Sequence, residues 1–236
     1  MERRNLDCSA RRIGFWSSLF ATGMAGMFLV MLMLTFVVFK LDLTWQGIEH
    51  FAEVYPEGQI LLFVIPCFLL APAYLMFTVC LYKMAPERDR IVALISVVFA
   101  VIYAAQISQN YFLQMSAVRL SIKAGLLEGL TPFAFGNLYS TFWSMEVLGY
   151  TFLSFSMICS GLLFRGSGAR RAIRWIFLVN GIWGVWALFE LVLEIPSPPI
   201  SLIVFAVTFP ISTALIGHLF RKGDPFAPEG GTEQVV

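Results

Sequence analysis

Six long apolar stretches constrain this chain more than any other feature of its sequence. They run approximately over residues 13–38, 60–82, 91–115, 141–164, 175–193 and 200–220. About 20 apolar residues in a row cross the hydrocarbon core of a bilayer as a helix, because a helix satisfies its own backbone polar groups in lipid. The sequence therefore predicts an all-α, polytopic bundle of six transmembrane helices.

The composition agrees with a chain that is mostly in contact with lipid or with other apolar helices. Hydrophobic residues make up 58% of the 236 residues and charged residues 13%, against about 45 to 50% and about 25% in soluble domains. The net charge of +1 supplies no field that would recruit nucleic acid. Residues 1–222 are predicted to form a single membrane domain and residues 223–236 a flexible cytoplasmic tail.

The charges between the apolar stretches alternate along the chain, and this alternation predicts the orientation. Lys and Arg mark the N-terminus, the second and fourth connections and the C-terminus, whereas the first connection is mainly acidic. Basic residues are retained on the cytoplasmic side of a membrane. Both termini are therefore expected in the cytoplasm, and the protein in the cell membrane. The first stretch is too long for a cleaved signal peptide and is expected to stay as an anchor.

Two of the outer connections carry an apolar pattern with helical spacing. Such patterns are typical of amphipathic helices that lie in the membrane interface. We therefore expect two short interfacial helices on the outer side, the first of them capped by Thr44. The patterned residues are Trp45, Ile48, Phe51 and Tyr55 in the first connection, and Val118, Ile122, Leu126 and Leu130 in the third.

Polar side chains at membrane depth are the best indication of a site, because they cost free energy and usually face the interior of a bundle. In the third span Gln106, Gln109 and Asn110 fall on one helix face. Gln114 extends this polar face toward the outer end. In the fifth span Asn180 lies near the middle, and the glycines that follow it permit close helix approach.

Glu146 is the acidic residue expected well inside the fourth span. An ionised carboxylate at mid-bilayer costs roughly 3 kcal/mol on insertion scales, so it should be paired, solvated by a cavity or protonated. Tyr139, Trp143 and Tyr150 share its stripe at helical spacing. Arg119, at the outer end of the third span, is the nearest candidate partner by sequence. These features predict an outward-opening polar pocket between the third, fourth and fifth spans.

Three classes of function fit this pattern. The first is binding or proton-coupled transport of a small solute, with release of the solute coupled to protonation of Glu146. The second is a structural or regulatory subunit, whose cytoplasmic arginines contact anionic lipid or a soluble partner. The third is a lipid-modifying enzyme with Glu146 as an acid or base, so the question of catalysis stays open, although no catalytic residue is assigned. The predicted ligand-binding residues are Glu146, Gln106, Asn110, Asn180, Tyr150, Trp143 and Arg119.

No cofactor or metal ion is expected from the sequence. The four cysteines are dispersed, and neither His50 nor His218 stands in a pattern of metal ligands or of a catalytic base. No lysine lies inside a span to hold retinal, and no pair of histidines could ligate haem. The expected partners are the lipid bilayer and a small solute, with self-association into a homo-oligomer left open. Nucleic acid is not an expected partner.

Two segments of the chain carry short motifs that are typical of a known family. Residues 157–182 contain GLLFR at 161–165, RW at 174–175 and NG at 180–181, and residues 81–120 are a basic turn followed by a span with a polar outer end. In these features the chain resembles an uncharacterised family of bacterial and archaeal multi-pass membrane proteins. The resemblance implies the helix count and a prokaryotic membrane location. It transfers no functional residue, because that family has no established activity.

Overall fold

The computed structural model describes residues 2–34, 45–55, 57–195 and 200–226, and the regular structure in these residues is helical. Six of the helices are long and apolar enough to cross a membrane. The prediction of an all-α protein with six such helices is therefore confirmed for this part of the chain. Its α-helices are α1 (Glu2–Met33), α2 (Ile48–Glu53), α3 (Glu57–Met84), α4 (Arg90–Leu113), α5 (Arg119–Lys123), α6 (Thr141–Leu163), α7 (Gly168–Val192) and α8 (Ile200–Lys222).

The third span is longer than its apolar stretch. α4 continues through a π-helical turn, Gln114–Val118, directly into α5. The residues predicted as a second interfacial helix therefore form the end of this span, followed by turns. The polar residues of α5 extend the helix because both of its cations bind one carboxylate of α3, as described below. Residues 35–38 of the predicted first span and the candidate cap Thr44 lie outside the described residues.

The six long helices pack as a closed ring. Each contacts the next long helix along the chain, and α8 returns to contact α1. Two glycines allow close approach within this ring, because a Cβ atom at Gly14 would overlap the Phe220 ring and one at Gly149 would overlap Ile107. The ring thus follows the order of the sequence, as is usual where short connections join antiparallel helices.

Aromatic side chains fill the interior of the ring. Tyr74 of α3, Tyr103 of α4, Tyr150 of α6, and Phe205 and Phe209 of α8 form a chain of ring contacts, with centroid separations from 4.9 to 6.1 Å. Such pairs add about 0.5 to 1.5 kcal/mol each beyond the burial of their area. This aromatic core joins four of the six long helices across the middle of the bundle.

The two ends of the bundle carry different ion pairs. At one end, the Asp89 end, Arg165 Nη2 lies 2.8 Å from Asp89 Oδ1. At the opposite end, the Glu57 end, Arg119 Nη1 and Lys123 Nζ each lie 2.7 Å from Glu57 Oε1. The Glu57 contacts explain why the third span continues to Lys123, since its two cations are held by α3.

The first residues of the predicted tail pack on the bundle at the Asp89 end. The buried Arg170 donates from Nε to the carbonyl oxygen of Pro225 at 2.8 Å. The Phe226 ring lies 5.4 Å from the Phe164 ring, centroid to centroid. Residues 223–226 are therefore held in place, because burying a guanidinium without an acceptor would be costly. The rest of the predicted tail, residues 227–236, lies outside the described chain.

A cap covers part of the Glu57 end. It consists of residues 45–55, which include α2, and residues 130–137 of the connection between α5 and α6. Ile48 and Phe51 of α2 are buried, and Phe51 lies against Gly136. Phe135 of the cap contacts Phe63 of α3. The helix predicted in the first connection thus exists as α2 and packs on the bundle, while its position in a membrane interface stays a prediction.

Candidate functional site

Glu146 lies in the second turn of α6, near the Glu57 end, and its carboxylate faces α4. Oε1 accepts a hydrogen bond of 2.5 Å from the Tyr111 hydroxyl, and Oε2 accepts one of 3.2 Å from Asn110 Nδ2. Both donors are buried side chains of α4. They are neutral, and no Lys, Arg or His of the described residues forms an ion pair with Glu146.

Two amide side chains of α4 fix the position of the first turns of α6. Asn110 Nδ2 also donates to the carbonyl oxygen of Phe142 at 3.1 Å, and Gln106 Nε2 donates to that of Met145 at 3.1 Å. The absence of a side chain at Gly149, which faces α4, lets the two helices come close enough for these bonds. The same contact holds the Glu146 side chain in reach of its two donors.

Further polar side chains surround the carboxylate. The Cys67 thiol of α3 lies beside the hydroxyls of Tyr111 and Tyr150, and Tyr103 lies within electrostatic range of Cys67 and Glu146. The buried Tyr103 hydroxyl has no hydrogen-bond partner within the described chain. A buried hydroxyl without a partner is uncommon and calls for an explanation. We name these residues the Glu146 cluster: Cys67, Tyr103, Asn110, Tyr111, Glu146 and Tyr150.

Three members of the cluster are not singled out by the sequence pattern. Cys67, Tyr103 and Tyr111 stand in apolar surroundings and resemble ordinary packing residues. The stripe of α4 that is buried includes Tyr103, Tyr111 and Asn110, whereas Gln109 is exposed. Tyr103 and Tyr111 are eight residues apart and share one helix face, so counting these tyrosines as polar would have found the correct stripe.

Arg119 binds Glu57 and not Glu146. Besides its 2.7 Å ion pair with Glu57, its Nε donates to the carbonyl oxygen of Met115 at 3.0 Å. The hydrogen bond from Lys123, and then that from Arg119, lower the pKa of Glu57 below its ordinary value. Burial raises the pKa of the neighbouring Tyr55 to about 12, and the Glu57 charge acts in the same direction. These groups form a separate polar cluster at the Glu57 end.

Asn180 and Trp143 also make their hydrogen bonds elsewhere. Asn180 Oδ1 accepts a 2.9 Å bond from Thr208 and so joins α7 to α8, while its Nδ2 is buried without a partner among the residues described. Trp143 donates from Nε1 to the carbonyl oxygen of Phe135 at 2.8 Å, which ties α6 to the cap. Tyr139 precedes α6 and is 97% exposed. The predicted residues that share the contact between α4 and α6 are Glu146, Gln106, Asn110 and Tyr150.

The second half of α7 is loosely packed at the level of Glu146. α7 approaches α6 at Gly181 and Gly184, which lie against Ser154, and the two helices are antiparallel. Glu146, two turns before Ser154, is therefore level with the last turns of α7. Every buried residue of α7 lies at or before Gly181, and Glu146 itself is partly exposed. The last turns of α7 are therefore less buried than its first turns.

The chemistry of the cluster is that of an acid among neutral donors. No group of three or more His, Cys, Asp or Glu in the described chain could hold a metal ion. Within the described chain, neither histidine hydrogen-bonds to a member of the cluster, so a pair of Cys67 with a histidine base is not formed. The arrangement can gain and lose a proton at Glu146, and it can present a carboxylate beside aromatic faces.

The segments that carry the family resemblance have plain structural roles. Residues 157–182 form the turn between α6 and α7 with the adjoining helix ends, and residues 81–120 include most of the third span. From these two segments, the members of the Glu146 cluster are Tyr103, Asn110 and Tyr111 of α4. Comparison with known protein families, with curated proteins and with solved structures finds no match to this chain.

Proposed function

We propose that this protein binds a small solute within the membrane and couples movement of the solute to protonation of Glu146. One observation carries the proposal: the carboxylate lies among membrane-spanning helices, and its partners in the described chain are neutral donors. An uncompensated charge at this depth is costly. The carboxylate is therefore stable either as the protonated acid or as an anion that is compensated by a bound solute.

The two donors suit a group that changes its protonation state. A tyrosine hydroxyl can donate to a carboxylate and can accept from a carboxylic acid, so Tyr111 keeps its bond to Glu146 in both states. Asn110 Nδ2 can only donate, and its second bond, to Phe142, holds it in place. Proton exchange at Glu146 thus requires rotation of an O–H group and no movement of a helix.

We further propose an orientation of the bundle in the membrane. Both termini face the cytoplasm of a prokaryotic cell, so the Asp89 end is cytoplasmic and the Glu57 end is outside. The distribution of charge supports this orientation, because the basic residues near Asp89 outnumber the acidic ones, as the positive-inside rule requires. Glu146 then lies in the outer half of the membrane, and the loosely packed end of α7 gives access to it. Residues 1–222 act as one domain.

Proton movement in liposomes tests the proposed function. The purified protein is reconstituted with a pH-sensitive dye inside the vesicles, and pools of amines, amino acids, organic acids and sugars are added outside. The wild type should show a change of internal pH with at least one pool, and Glu146→Gln should show none. Glu128→Gln, an exposed residue of the connection before α6, is the matched control and should behave as the wild type. A solute-dependent flux that persists in Glu146→Gln would refute the proposal.

Native mass spectrometry gives a readout that does not depend on the choice of pool. Wild type and Glu146→Gln are purified in parallel, and the small molecules, lipids and subunits that accompany each are identified. A small molecule retained by the wild type and lost from the variant supports the proposal. The same companions in equal amounts on both proteins would contradict it.

A structural or regulatory subunit is the second candidate, and the exposed end of α7 favours it. Trp183, Trp186 and Phe189 project from the least buried of the long helices, and helices of a partner could cover them. In this case a stoichiometric partner should copurify with the wild type and with Glu146→Gln. The same partner should be lost from Trp186→Ala, because large aromatic residues carry much of the free energy of an interface.

A further inference from the structure

The charges of the bundle are separated by depth. The cations that form ion pairs lie at its two ends, where Asp89, Glu57 and Glu87 are their partners. The titratable groups that face Glu146 are Cys67 from α3, Tyr103 and Tyr111 from α4, and Tyr150 from its own helix. None of them carries a positive charge. In α7 and α8 the basic residues lie near the Asp89 end, and Glu190, in the last turns of α7, is an acid. A positive charge for the Glu146 anion must therefore come from outside these residues.

Members of the Glu146 cluster pack against further aromatic rings. The Tyr111 ring lies 5.8 Å from the Phe142 ring, and the Tyr150 ring lies 5.9 Å from Tyr103 and 5.5 Å from Phe205. The negative faces of aromatic rings attract cations, and sites for quaternary ammonium groups are commonly built from them. The side chains around Glu146 thus combine a carboxylate with aromatic faces.

A metal cation fits this set of groups poorly. Metal ions such as Ca²⁺ and Mg²⁺ take about six or more oxygen ligands, and the described chain has no cluster of acidic side chains to supply them. Gln106 and Asn110 present their NH₂ groups to oxygen atoms of α6, and these amide nitrogens cannot ligate a metal ion. An organic cation needs one counter-charge and apolar contact, and both are present.

We infer that the solute of this site is an organic cation with a single positive charge, which binds Glu146 and the neighbouring rings in exchange for one proton. The inference rests on the proposed function and specifies its solute. When the cation binds, the carboxylic acid gives its proton to water and becomes the anion that compensates the cation. When the cation leaves, a proton returns to the carboxylate. The site is therefore neutral in both states, whether Glu146 holds the cation or the proton.

Calorimetric titration of the full-length protein in detergent with two probes of opposite charge tests the inference. Tetraphenylphosphonium and tetraphenylborate have nearly the same size and shape, so a difference between them reports charge. Tetraphenylphosphonium should bind. As the pH falls through the range in which Glu146 is protonated, its affinity should fall about tenfold per pH unit, as linkage to one proton requires. At pH values where Glu146 is protonated before binding, one proton should be released per cation bound, measured from the dependence of the heat on the buffer. Tetraphenylborate should not bind at Glu146.

Variants distinguish the contribution of the carboxylate to binding from that of the aromatic rings. Glu146→Gln should lose the proton release and the dependence on pH, whereas Glu128→Gln should keep both. Tyr150→Leu should weaken tetraphenylphosphonium about tenfold, because it removes one aromatic face, and Tyr150→Phe should retain most of the affinity. Size-exclusion chromatography and thermal unfolding of each variant show whether it is folded before its binding is measured.

The possible failures are distinguishable. Four results would each overturn the organic-cation assignment: equal binding of the two tetraphenyl ions, cation binding without proton release, absence of binding by both, or release of the proton by sodium chloride alone.

The proposed function is tested separately by labelling with a carbodiimide, which reacts with protonated carboxyl groups. Labelling of Glu146 that is lost as the pH rises would keep the proposed function and leave another solute to be found. Labelling that does not depend on pH would contradict both.

Discussion

Replacing Gly181 by alanine should weaken the packing of α7 on α6 and lower the free energy of unfolding. A Cβ atom at this position would overlap Ile158 Cγ1 and would lie 2.9 Å from the carbonyl oxygen of Ser154. The Ile158 side chain can rotate away, but the Ser154 carbonyl belongs to the backbone of α6. The two helices must therefore separate by a few tenths of an ångström to accept one methyl group.

The magnitude follows from a comparison with Gly23, which lies on the exposed face of α1 and has no atom within 4 Å of its added Cβ. Glycine to alanine in a helix interior gains up to about 1 kcal/mol from helix propensity, and this gain is common to the two sites. Overpacking costs about 1 to 3 kcal/mol and arises only at Gly181. Gly181→Ala should thus be less stable than Gly23→Ala by about 1 to 3 kcal/mol.

Titration of the detergent-solubilised protein with sodium dodecyl sulfate measures this difference. Tryptophan fluorescence and circular dichroism report unfolding, and the two single variants and the wild type are compared under one set of conditions. Gly23→Ala should equal or exceed the wild type, and Gly181→Ala should fall below Gly23→Ala. Stabilities of the two variants within about 0.5 kcal/mol of one another would refute the packing of α7 described above.

Three further predictions concern the same bundle. Gly184→Ala should destabilise the protein, and Ser154→Ala should relieve part of the loss, because the added methyl group meets the Ser154 hydroxyl; a double-mutant cycle measures the coupling. Ser96→Ala should cost about 1 to 2 kcal/mol, since its hydroxyl bonds α6 at several points and such bonds average about 0.6 kcal/mol in membranes. The half-buried control Ser116→Ala, whose hydroxyl donates to Phe112 one turn earlier, should cost less in the same unfolding titration. Because the pKa of Glu57 is lowered from 4.5, its contribution to stability is present above that value and is lost as the pH falls through the lowered pKa. Thermal unfolding between about pH 6 and about pH 3 should show this loss in the wild type and not in Glu57→Gln.

The number of long helices was predictable because length and apolarity alone decide which segments can span a membrane. The end of the third span was not, since Arg119 and Lys123 have the charges of a connection between helices. Their partner is Glu57, which lies 62 residues before Arg119 in the chain. An ion pair between distant segments leaves no local pattern, so the continuation of α4 into α5 could be found only from the structure.

The candidate site was predictable to a similar extent. Glu146, Gln106 and Asn110 stand out because they are polar side chains in apolar helices, and the structure brings all three to one contact. Asn180 stands out equally, but its partner is Thr208 of α8. Helical periodicity gives the face of a helix and does not say which neighbour lies opposite. For the same reason it could not show that Arg119 turns to Glu57.

The hydrogen bonds of α6 with α3 and α4 distinguish structural contacts from the candidate site, a distinction that the sequence alone does not give. In the half nearer the Asp89 end, Ser96 Oγ lies 2.7 Å from Ser160 Oγ, and Tyr74 donates to Ser156 at 2.9 Å, so these buried hydroxyls are satisfied by one another. In the half nearer the Glu57 end, a carboxylate lacks a counter-charge within the described residues and the Tyr103 hydroxyl lacks a partner. Polar groups that only join helices gain most when every bond is made. The incomplete half is therefore the one in which a bound proton or solute would complete the contacts.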